Sequence, residues 1–345
     1  MPVATRRVFR LNFTVALSLV IGYGLSLELP YLVPIFAILL AANPAPPMPP
    51  KKLVVLIIAI MIILGAGLLL SPMLVYYPLS GVLIVCCGIY LSSYLSVNMG
   101  QGPLATFLMI ALTLISAIGT QSSAAASALI DAVVIGLFIA IVCHWVVYPF
   151  FPENSDSVVA EPAQPTLSES NWIAIRATLI VMPVFLLTLT NPTMYASIVL
   201  KSVSLGQQVS MISARDAGKE LLGSTFLGGC FAILIWFALG ISTNLWFFFL
   251  WMLLFGVFYG GKLYQVFPSR YPASFWSNVV VTALILLGSA VQDSETGKDV
   301  YKAFAVRMSL FLAVTCYAWG TMFVLERWFE RSRMRLQQRP LPQGG

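Results

Sequence analysis

Apolar runs of helix length recur along the whole chain, separated by short polar or proline-bearing breaks. Their lengths predict helices near 8–27, 30–45, 52–71, 74–96, 103–120 and 125–150, then near 172–190, 192–206, 218–239, 243–260, 272–290 and 302–326. Two runs, 30–45 and 192–206, are short, and each follows a longer run across a proline. The first junction reads LELP, ending at Pro30, and continues YLVPIFAILLAAN; the second reads LTNP, ending at Pro192, and continues TMYASIVLKSVSL. These prolines are 162 residues apart (192 − 30), and the same offset relates Gly65–Gly67 to Leu227–Gly229. The run before each junction carries an arginine near its start, Arg10 and Arg176. Paired short, proline-interrupted segments at corresponding places in two halves mark a transporter's substrate site.

The expectation is an all-α integral membrane protein with about twelve transmembrane helices in two parallel six-helix repeats. The repeats occupy 1–151 and 172–327, joined by a cytoplasmic linker at 152–171 and followed by a basic cytoplasmic tail at 328–345. Whether 30–45 and 192–206 fully span or re-enter stays open at this level, because runs this short fall below the usual spanning length.

Composition agrees: the chain is 59% hydrophobic and 9% charged, against about a quarter charged in soluble domains. Charge placement sets the orientation. With the N-terminus inside, one side receives Arg6, Arg7, Arg10, Lys51, Lys52, Arg176, Arg215, Lys219, Lys262, Arg270 and five tail arginines. The other receives only Lys298 and Lys302. This positive-inside asymmetry predicts a multi-pass membrane protein with both termini cytoplasmic. The arginines before the first run resemble a signal-peptide n-region, but the run is long and lacks a small-residue cleavage site, so it is expected to remain as a first span.

Few polar side chains fall at membrane depth. Lys201 lies nine residues into the second short segment, where an ammonium is expensive unless it meets a cavity, an acid or an anion. Arg307 sits in the last span, with a planar fork suited to a carboxylate. Asp131 sits in the sixth span at nearly the corresponding place, as a proton-coupling group, as one half of an ion pair with Arg307, or as a helix-end residue reaching the interface. Lys201 and Arg307 are the candidates for anion recognition and Asp131 for coupling. Arg215, Lys219 and Lys262 would form a basic mouth that gathers anions. His144, the one histidine, reads as an interfacial residue rather than a relay.

The five cysteines all lie in apolar runs without metal spacing, so neither a metal site nor a cofactor is expected. There is no phosphate-binding GxxxxGK[ST] loop, no HExxH and no Ser/His/Asp set, so the chain is not expected to be an enzyme. Neither is nucleic acid an expected partner. A passive anion channel, or an assembly scaffold without transport, remains as the alternative.

The run LNFTVALSLVIGYGLSLELPYLVPIFAILLA, with SYLSVNMGQGPLATFLMIALTLI and RDAGKELLGSTFLGG (215–229), resembles the fusaric-acid-resistance and aromatic-acid-exporter superfamily. The first half departs at PAPPMPPKKLVVLIIAIMIILGAG, which keeps a basic pair and glycines but not the arginine pattern. The short linker and tail resemble a compact branch without the large cytoplasmic domains that many members carry. The resemblance implies a bacterial inner-membrane efflux protein that exports aromatic or other organic acids. Proton-linked or potential-driven transport, as an antiporter, is the expected mechanism, and whether the chain forms a homo-oligomer stays open. It also implies a periplasmic membrane-fusion protein and an outer-membrane channel as partners.

Overall fold

The structure, a computed structural model, describes residues 1–42, 46–99, 102–153, 167–208 and 218–337. Among the described residues, twelve longer helices follow one another: α1 Val3–Gly24, α2 Leu32–Ala41, α3 Pro50–Tyr76, α4 Pro78–Met99, α5 Gly102–Gln121, α6 Ser123–Val147, α7 Leu167–Thr190, α8 Pro192–Gln208, α9 Gly218–Leu239, α10 Leu245–Leu263, α11 Ala273–Glu295 and α12 Val300–Gln337. Helix is the backbone form that satisfies its own N–H and C=O groups in a hydrocarbon solvent. Among the described residues, nine helices are long and apolar enough to cross a membrane. The last helix runs on to Gln337, into the stretch expected to be tail, and the first helix of the second half begins at Leu167, inside the expected linker.

The short segment α2 is ten residues, about 15 Å of helix, half the thickness of a bilayer core. Eight of its ten residues are buried, so it is apolar all round because protein surrounds it. Its start packs Tyr31 against Gly288 of α11, where a side chain on the glycine would collide with the ring. At its other end the carbonyls of Ala41 and Ala42 accept hydrogen bonds from Tyr264, just beyond α10 (3.3 and 2.8 Å). The partner segment α8 starts at Pro192, and Asn191 Oδ1 accepts from the backbone N–H of Met194 (3.1 Å), capping its first turn.

In the first half α1, α2 and α6 pack together, and α3 presses on α5. In the second half α7, α8 and α12 pack together, and α9 presses on α11. One glycine of each sequence pair lies in these contacts. Gly67 meets the backbone of Ala111, and a Cβ on Gly228 would lie 2.8 Å from Val279 O and Thr282 Cβ. Small residues here let the helices approach closely. Outside, α3 and α4 turn Val55, Ile62, Leu69, Leu79 and Leu83 outward, the surface a lipid tail would cover.

The expected linker opens on a structural clamp. Glu153 accepts from Arg7 (Nε, 2.9 Å) and pairs with Arg10 Nη2 at 3.0 Å, while Arg6 donates to Pro152 O (3.1 Å). Arg10 is fully buried and also lies over the Tyr148 ring, 5.5 Å from its centroid. The start of α1 is thereby tied to the end of α6. The hydrogen bond from Arg7, then the pairing with Arg10, hold the Glu153 carboxyl below its ordinary value of 4.5. A depressed folded value stabilises above the unfolded pKa and is lost as pH falls through the folded one. Glu153→Gln is therefore expected to be less stable than wild type near neutrality, with the gap closing as pH drops below 4.5. Thermal unfolding of both proteins across that range measures it; a gap constant with pH would exclude the carboxylate as its source.

Candidate functional site

Lys201 projects from the middle of α8 into the protein and is completely buried. Its Nζ donates to Asn278 Oδ1 (2.8 Å) and to Thr282 Oγ1 (2.7 Å), both on α11. The two acceptors are oriented by further bonds. Thr282 spends its hydroxyl hydrogen on the carbonyl of Asn278 (2.6 Å), and Asn278 Nδ2 donates to Ser224 Oγ on α9. Ser224 passes its own hydrogen to Leu221 O (3.1 Å). Each oxygen facing Lys201 is thus an acceptor. Both are neutral, and among the described residues no carboxylate lies within ion-pair distance of this amine.

Arg307, near the start of α12, makes a two-pronged contact with Asp293 of α11: Nη2 donates to Oδ1 at 3.0 Å and Nη1 to Oδ2. Nη1 also donates to the carbonyl of Ser289 (3.3 Å). Asp293 is 3% exposed, so its charge depends on this fork. The carboxylate paired with Arg307 is therefore Asp293 and not Asp131. Asp131 is exposed on α6 and makes no hydrogen bond or ion pair with the described residues.

The two cations meet on one helix. Asn278, Thr282, Ser289 and Asp293 are all buried and fall at spacings of 4, 7 and 4 residues, which places them on one face of α11. Thr282 and Asp293 are eleven residues apart, about 16 Å along the axis. A polar stripe thus runs along the most deeply buried span, with Lys201 towards one end and Arg307 at the other. These four residues were not singled out by the sequence reading, although the spacing was present in FWSNVVVTALILLGSAVQD.

The remaining expected residues are dispersed. Lys219 is exposed in the π-helical first turn of α9, and Lys262 donates to Pro268 O (2.6 Å), closing the turn after α10. Arg215 lies outside the described residues. His144 is buried beside Tyr148, at 5.9 Å between ring centroids, with its Nδ1 lacking a hydrogen-bond partner among the described residues.

Residues 7–147 match a family model described as a protein of unknown function (DUF2955). No curated protein and no solved structure matches this chain.

Proposed function

We propose that this chain is an inner-membrane carrier that exports aromatic or other organic acids, linked to proton movement. The observation that carries the reading is the α11 stripe, a buried polar face that meets an ammonium at one level and a guanidinium at another. Hydrocarbon offers no reason to retain such charges, and a buried intramembrane cation such as Lys201 ordinarily serves an ion or substrate path. Arg307 already holds a carboxylate in a two-pronged fork, so the geometry suits the carboxylate of an organic acid that displaces Asp293. Protonation of Asp293 would free the fork, which makes that pair the coupling element of this reading. Asp131 is the other carboxylate that coupling could use, and Asp131→Asn separates the two.

The reading extends to two parallel six-helix repeats. Its support is a packing pattern in which α1 on α10 corresponds to α4 on α7, and α2 on α11 corresponds to α8 on α5. With the basic helix ends inside, Lys219 and Lys262 would lie on the cytoplasmic side, where this reading expects anions to enter. A periplasmic membrane-fusion protein and an outer-membrane channel would take the substrate onward, as the resemblance to aromatic-acid exporters implies.

The test uses purified protein in liposomes loaded with hydroxybenzoate, with and without an imposed pH gradient. Gradient-driven uphill flux is the expected result. Downhill flux alone would replace the carrier with a passive anion channel. Absence of flux for a panel of aromatic and aliphatic acids, with and without an imposed gradient, would leave a scaffold.

A further inference from the structure

At the end of the bundle opposite the N-terminus, a cleft of about 460 Å³ opens where α1, α9 and α11 finish and α10 and α12 begin. Its walls carry four aromatic rings from the second half, Trp236, Phe237, Phe248 and Tyr301, and one from the first half, Tyr23. Tyr23 meets Phe248 edge-on at 5.3 Å, and Phe237 lies 6.3 Å from Tyr301, so four of the five rings pair off. The size falls in the range of small-molecule sites.

Three observations fix the charge of what this cleft would hold. First, it contains one charged group, the carboxylate of Glu295, which makes no ion pair or hydrogen bond with the described residues. Second, the two helix N-termini that meet the cleft do not offer an anion site. Asn244 Oδ1 accepts from Phe247 N–H (2.8 Å) at the start of α10, and Asp299 Oδ1 accepts from the N–H groups of Tyr301 and Lys302 (3.1 and 3.2 Å) at the start of α12. Third, the α11 C-terminus places its negative dipole end beside Glu295. A lining of aromatic rings whose one charged group is a carboxylate is chemistry that suits an organic cation. The ring of Tyr23 lines the cleft, while its hydroxyl is buried with no hydrogen-bond partner among the described residues.

We propose that this cleft is a binding site for a monovalent organic cation with bulky apolar or aromatic groups, distinct from the α11 stripe. The site lies across the two halves, since Tyr23 belongs to α1 and the other walls to α9–α12. The shared chemistry is a substituted ammonium or phosphonium, whether on a free cation or on a lipid headgroup.

The test compares tetraphenylphosphonium with tetraphenylborate, which have the same shape and opposite charge, on detergent-purified full-length protein. Glu295 is exposed and unpaired, so Glu295→Gln leaves the fold intact. The expected result is that this substitution weakens phosphonium binding at least about tenfold and leaves borate binding unchanged or stronger. Absence of saturable phosphonium binding, or equal affinities in wild type and variant, would overturn the proposal. Competition of the phosphonium by phosphatidylethanolamine in nanodiscs, but not by phosphatidylglycerol, would identify a headgroup amine as the occupant, and indifference to both would identify a free cation. Anion flux is not measured in this experiment, so its outcome is separate from that of the export reading.

Discussion

Lys201→Met is expected to abolish hydroxybenzoate flux while the protein still inserts and accumulates. The amine is the charged group at its level of the stripe, and a hydrogen bond to a charged group contributes about 1.5–3 kcal/mol, or roughly 10–100-fold in apparent affinity. Methionine has similar length without the charge. Removing the amine leaves Asn278 Oδ1 and Thr282 Oγ1 without their donor, at about 1–3 kcal/mol for each acceptor left unsatisfied. It also removes the cost of holding a cation in a fully buried place, and the two effects oppose each other. The thermal midpoint should therefore move little while transport is lost. Liposome flux and thermal unfolding of the same preparation measure both; wild-type flux from the variant would remove Lys201 from the path.

Arg307→Ala should produce the largest loss of stability. It strands the Asp293 carboxylate in a buried place, and breaking one side of a buried pair costs about 3–5 kcal/mol. The double variant Arg307→Ala/Asp293→Ala removes both charges and should recover most of that stability, because no uncompensated charge remains. Transport should stay lost in both, since the fork is gone in both. Denaturant unfolding of the single and double variants, read beside flux, tests the pair. A double variant as unstable as the single one would show that Arg307 acts by packing. Full flux in the stable double variant would deny the fork a role in recognition.

The two carboxylates show where the sequence ran out. Asp131 and Asp293 are both acids near one end of a long apolar run, and hydropathy treats them alike. Their fates differ because α6 turns Asp131 outward, whereas α11 is packed on several sides and turns Asp293 towards α12. Glu153 differs for a related reason. In the sequence it belongs to a polar stretch, and only the return of the chain after α6 brings it to Arg7 and Arg10, 146 and 143 residues earlier. The α11 stripe was legible, since its spacing of 4, 7 and 4 is a local property of one helix.

By itself the sequence determined the helical segments, because the backbone demands of a hydrocarbon solvent are read from local runs of apolar residues. The run expected at 218–239 is the helix Gly218–Leu239, and that expected at 52–71 lies within Pro50–Tyr76. It also marked Lys201 and Arg307 as cations out of place. The tertiary structure decided what those cations meet: a polar face of α11 for both, with two neutral oxygens for Lys201 and Asp293 for Arg307. Partner choice depends on which faces of distant helices are pressed together, here through contacts such as Gly228 on Thr282. No local pattern of hydropathy encodes that.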